Sequence, residues 1–193
     1  MKRIIFIIIS VILMCSCASR PKGFTYLHND TDTGLDTLID TDGYYTVQRA
    51  CDSTFHSLFM FYPNGLFTIA TTSEMLPELI DCFENGGKST ICKYPLWGTY
   101  RIEGDVIKTQ VIRTEGNGCV IFRDYKIGSD RSIINISDYI RPENTNLGYM
   151  ANYPSFTENP CPTAATFHPS TTKREIKDCP LLKKRWFSIR QSK

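Results

Sequence analysis

Between residues 43 and 140 the chain alternates short runs of β-branched and aromatic residues with glycine-bearing turns. This rhythm limits the fold more than any other feature, because runs of that length and composition read as strands. The runs occupy 44–47, 56–62, 66–71, 96–102, 106–113, 119–127 and 132–140. In the third, Leu66, Thr68 and Ala70 share one face while Phe67 and Ile69 share the other, the period-two pattern of a strand. Asn64-Gly65 between two apolar runs is a strong hairpin signal. Turns at Glu103-Gly104-Asp105, Gly116-Asn117-Gly118 and Gly128-Ser129 join the last four runs into an antiparallel meander. Residues 73–83 break the alternation and predict a short helix, with Pro77 tolerated in its first turn. Beyond Arg141 five prolines precede residue 170, and the segment reads as loop. Residues 181–189 read as an eighth strand, with Lys183, Lys184 and Arg185 solvated beside buried aromatics. The fold class expected is all-β: an eight-stranded barrel closed by the last strand pairing with the first, with an open sheet or sandwich as the alternative.

The length of 193 residues suits one domain. The formal net charge is +2, and without Lys2 and Arg3 the basic and acidic counts are equal at 20 each. A neutral body lacks the electrostatic footprint of a nucleic-acid binder. Residues 20–42 are polar and rich in Asp and Thr, so a flexible acidic tether is expected over 17–42, with the folded domain over 43–193.

The N-terminus carries an address. Lys2-Arg3 precedes an apolar-type run over residues 4–14, too short for a bilayer span and suited to an export signal. Met14-Cys15-Ser16-Cys17 resembles a bacterial lipoprotein lipobox, which implies a signal peptide over 1–16 and acylation of Cys17 by chains such as palmitate. A plain secretory signal and an uncleaved short anchor are the competing readings. The implied site is the outer membrane, on its periplasmic face or the cell surface.

Six cysteines remain in the body, and an even number in an exported chain suggests disulfides, with fifteen connectivities open. Proximity in sequence points to Cys82–Cys92 and Cys161–Cys179. The spacing of cysteines and histidines does not suit zinc, and no metal or cofactor is expected. His28, His56 and His168 are scattered, Glu103 and Asp105 flank a turn, and Gly87-Lys88-Ser89 ends a phosphate-loop pattern whose first position holds Cys82 instead of Gly. No catalytic constellation emerges, so an enzyme is not expected.

Two stretches carry a family resemblance. Leu58-Phe59-Met60-Phe61-Tyr62-Pro63-Asn64-Gly65-Leu66-Phe67 and Trp97-Gly98-Thr99-Tyr100-Arg101-Ile102-Glu103-Gly104-Asp105-Val106-Ile107 are similar to hairpins of lipocalin-like, calycin-type lipoproteins of Bacteroidetes. Leu182 to Phe187 resembles their C-terminal segments. The resemblance implies a lipid-anchored barrel. An early Gly-x-Trp signature of true lipocalins is missing, since Trp97 and Trp186 lie later. Two functions follow. One is a module binding a small apolar or amphipathic ligand, with Tyr45, Phe59, Phe61, Phe67 and Phe122 lining its cavity. The other is a structural or protein-interaction module of the envelope whose barrel is filled by those same side chains. The partners expected are the membrane, through the anchor, and such a ligand or an envelope protein, but not nucleic acid.

Overall fold

The computed structural model describes residues 20–49, 51, 54–73, 75–85, 95–113, 119–141, 156–170 and 175–189. Eight antiparallel strands form one curled, barrel-like sheet: β1 (Gly43–Gln48), β2 (His56–Phe61), β3 (Leu66–Thr72), β4 (Leu96–Glu103), β5 (Val106–Arg113), β6 (Cys119–Ile127), β7 (Ile133–Ile140) and β8 (Thr166–Pro169). The order across the sheet is β7-β6-β5-β4-β3-β2-β1-β8. Strands β1 to β7 pair in sequence, as the meander predicts. One helix, α1 (Leu76–Asn85), covers part of the outside.

Period-two alternation sorts the side chains into two cores. On β2, Phe59 and Phe61 face inward while Leu58 and Met60 face outward, and on β3 Phe67 and Ile69 oppose Leu66 and Ala70. Both faces are apolar because both are covered. The β2–β3 turn needs Gly65, whose φ is +84°. Gly98 on β4 serves a different end: a Cβ there would lie 1.7 Å from the Gln110 carbonyl oxygen on β5.

The eighth strand is not where the sequence placed it. Residues 181–189 form a 3-10 turn, Pro180–Lys183, followed by irregular chain. Pro180 opens that turn, where its missing N–H costs nothing. Leu181 and Phe187 are buried against the outer face while Lys183, Lys184 and Arg185 are exposed. The edge of β1 is instead covered by β8 from the proline-rich segment, with Tyr45 opposite Phe167.

The expected tether is also corrected over its described part. Residues 20–42 form a strap, because they carry enough apolar side chains to be held: Phe24, Leu35 and Ile39 are buried. Each such burial contributes about 1.5–3 kcal/mol. Over the outer face the strap's backbone is met by the sheet. The N–H groups of Thr25 and Tyr26 donate to Gln110 Oε1 at 2.8 and 3.0 Å, and Thr99 Oγ1 donates to the Tyr26 carbonyl at 2.5 Å. The strap then crosses the rim, where Thr33 N donates to the Pro63 carbonyl at 2.8 Å. Leu35 and Ile39 enter the inner core, and Arg131 from the β6–β7 turn holds this end through the Asp36 carbonyl and Asp40 Oδ1.

Strap and C-terminal segment clasp each other at His28. Its N–H donates to the Phe187 carbonyl at 2.9 Å, its own carbonyl accepts from Ile189 N at 2.8 Å, and its ring stacks on Phe187. Burial holds the imidazole below its ordinary value of 6.5, outweighing the pull of Asp30, whose carboxylate lies 3.8 Å away. The unfolded chain therefore binds a proton at higher pH than the folded one. Stability is complete above about pH 6.5 and is lost as pH falls through the folded value. We expect the melting temperature to fall between about pH 7 and about pH 5, with a shallower fall in His28→Gln. Equal slopes in the two chains would show that His28 does not set the acid limit.

Candidate functional site

The inside of the barrel is an aromatic pack. Tyr45, Phe59, Phe61 and Phe67 are buried there beside Tyr100 and Tyr125. Ring centroids lie 4.8 Å apart for Phe59–Tyr125, 4.9 Å for Phe61–Phe67 and 5.5 Å for Tyr45–Phe59, within the contact range of aromatic pairs. Leu35 and Ile39 of the strap complete the cluster. The fifth residue expected inside, Phe122, is on the outer face instead. The inward positions of β6 are Cys119, Ile121, Arg123 and Tyr125, so Phe122 points outward with Val120 and stacks on Tyr139 at 5.1 Å.

Arg123 breaks the apolar row of β6, and a buried charge requires a partner. Its partner is Asp138 on β7, paired directly across the ladder, with Arg123 Nε 3.0 Å from Asp138 Oδ2. Arg49, one residue past β1, brings both Nε and Nη2 to within 3.1 Å of the same oxygen. Arg123 Nη1 also reaches Thr71 Oγ1 at 3.2 Å and Ser57 Oγ at 3.5 Å. Arg49, Ser57, Arg123 and Asp138 line a small recess with Val47, Tyr125 and Asn135. The recess has room for about one water molecule.

The position of this cluster explains its chemistry. The sheet curls until β7 approaches β1 and β8, leaving a seam. At the end nearest the β6–β7 turn, Ala165, the residue before β8, donates its N–H to the Ile133 carbonyl at 2.8 Å. At the opposite end Arg49 reaches across to Asp138. Just outside it, Cys51 and Cys161 form a disulfide with a Cα–Cα distance of 5.3 Å. Asn159 docks the second of these chains onto β7, donating from its backbone to Ile136 and from Nδ2 to the Asn135 carbonyl. Guanidinium, carboxylate and disulfide together lock the seam.

The expected disulfides are thus revised. Cys161 pairs with Cys51 rather than Cys179, because chain folding brings residue 161 back beside the β1–β2 loop. Cys179 is a buried free thiol packed in the outer core, its pKa pushed up to about 11 by burial. Cys82 is disulfide-bonded, while Cys92 and Cys17 lie outside the described residues.

The three histidines occupy separate places. His28 is in the clasp, His56 starts β2, and His168 on β8 stacks on Tyr44 while its Nε2 lies 2.8 Å from Thr46 Oγ1. The turn carboxylates meet surface cations, Glu103 with Arg101 and Lys108, and Asp105 with Lys126. Sequence reasoning missed Arg49, Arg123 and Asp138. Arg123 was detectable, since a cation at an inward position between Ile121 and Tyr125 must find an anion. Compared with known proteins, the chain matches no family model, no curated protein and no solved structure.

Proposed function

We propose that the chain is a non-enzymatic cell-envelope lipoprotein, acylated at Cys17, whose lipocalin-like barrel is filled by its own side chains and serves as a rigid interaction module. The observation that supports this reading is the aromatic pack. The volume a small apolar ligand would take is occupied by Phe59, Phe61, Phe67 and Tyr125, all of them buried. Admitting a ligand would require moving those rings from close packing, at a cost of several kcal/mol. The locked seam favours the same reading, because it fixes the barrel's girth.

Native mass spectrometry of the chain isolated from bacterial membranes tests the proposal. The expected spectrum shows the polypeptide with covalent acyl mass on Cys17 and no further mass that denaturation removes. A reproducible extra mass lost on denaturation would overturn the filled-barrel reading and identify a ligand. A mature N-terminus without acyl mass would overturn the anchor.

A further inference from the structure

We propose that the clasp between strap and C-terminal segment is a membrane-docking face, which seats the barrel on an anionic bilayer surface. It rests on the reading of Cys17 as the lipid anchor.

The charge distribution points there. Residues 20–28 and 175–189 together carry six Lys and Arg against Glu175 and Asp178, whereas the rest of the chain beyond residue 19 carries 14 basic and 18 acidic residues. Glu175 is engaged by Lys177. Lys183, Lys184 and Arg185 are all exposed. The end of the 3-10 turn and the irregular chain after it present them consecutively, where a strand would have alternated them across two faces.

The fold brings this triplet to the root of the anchor. Phe24 packs on Trp186 and Phe187, with centroids 5.7 Å away in each case. Phe24 N–H donates to the Pro21 carbonyl at 3.1 Å, so a turn carrying Lys22 leads directly into the residue that packs on Trp186 and Phe187. From Cys17 to Pro21 the chain spans at most about 14 Å. With a free tether through residue 42 the body could have drifted far from the lipid surface. With the strap docked, the cationic face is held within about one or two Debye lengths of the headgroups. Ile176 and Ile189, 39% and 50% exposed, add apolar side chains to the same segment. Cations mixed with exposed aliphatic groups suit the bilayer interface. Each cation near an anionic surface is worth about fivefold in binding, so the triplet is worth about a hundredfold.

The test uses the chain from Cys17 to Lys193 coupled through its Cys17 thiol to a maleimide lipid in vesicles. This reproduces the anchor whether or not cells acylate that residue. Cys119 and Cys179, both buried, are protected from the coupling. Hydrogen exchange is followed on phosphatidylcholine vesicles and on vesicles that also contain phosphatidylglycerol. Exchange over residues 183–189 is expected to slow roughly tenfold with the anionic lipid, and to recover in about 0.5 M salt. The variant Lys183→Gln/Lys184→Gln/Arg185→Gln is expected to lose the slowing, with sheet exchange unchanged as the control for folding. Equal exchange on both vesicles would overturn docking, as would slowing that the triple variant retains. Failure of the anchor reading would appear separately, as absence of acyl mass on Cys17 in cells.

Discussion

Replacing Cys51 and Cys161 with serine is expected to lower the unfolding free energy by about 4–5 kcal/mol. The bridge joins residues 110 apart in sequence, so it removes a large share of the conformational freedom of the unfolded chain. The loss should show as a melting temperature lower by roughly 10–15 °C for a domain of this size. It should also show as a larger urea m-value, because the unlinked unfolded chain exposes more surface. Urea and thermal unfolding of the double variant measure both. Substitution avoids the ambiguity of a reductant, which would also open the bridge at Cys82. A change below about 1 kcal/mol would mean that the bridge scarcely restricts the unfolded chain, and would refute the disulfide's part in locking the seam.

Asp138→Ala is expected to cost about 3–5 kcal/mol, since it leaves two inward guanidiniums around a vacated carboxylate site. Arg49 is held at 12% side-chain exposure and Arg123 at 6%, so solvent does little to replace the lost charge for Arg123 and somewhat more for Arg49. The paired change Asp138→Leu with Arg123→Met should recover much of the loss, because an apolar substitute for a buried ion pair is often neutral. Urea unfolding of the wild type, Asp138→Leu, Arg123→Met and the double variant closes a mutant cycle. Additive costs would refute direct coupling. A double variant as unstable as Asp138→Ala would instead assign the remaining loss to Arg49.

Much of the fold was legible because its elements are local. Asn64-Gly65 fixes one hairpin, Gly104 another, and alternation assigns Phe59, Phe61 and Phe67 to one face without knowledge of any partner. The errors arose where a segment's fate depends on residues distant in sequence. Residues 20–42 look like a tether because Phe24, Leu35 and Ile39 are dilute among Asp and Thr, and their burial depends on surfaces built by β2, β4 and β5. Residues 181–189 have strand composition, yet the edge they would have covered is taken by β8, four residues long and bracketed by prolines. Phe122 was misplaced by one step of the alternation on β6. Its neighbour Arg123 then went unread, although a cation in that row implies Asp138. The disulfide pairing was beyond local reasoning, because Cys51 and Cys161 meet only after the sheet has curled.

The clasp at His28 bears on the order in which the molecule forms. Neighbouring strands of the meander pair over short sequence distances and can zip as they emerge. The strap is different, for its backbone partners include Phe187 and Ile189, at the far end of the chain. In synthesis from the N-terminus, the strap precedes these partners and is thus among the last segments to dock. Until Phe187 and Ile189 arrive, the His28 N–H and carbonyl lack these backbone partners, so the clasp closes only when the far end of the chain is present.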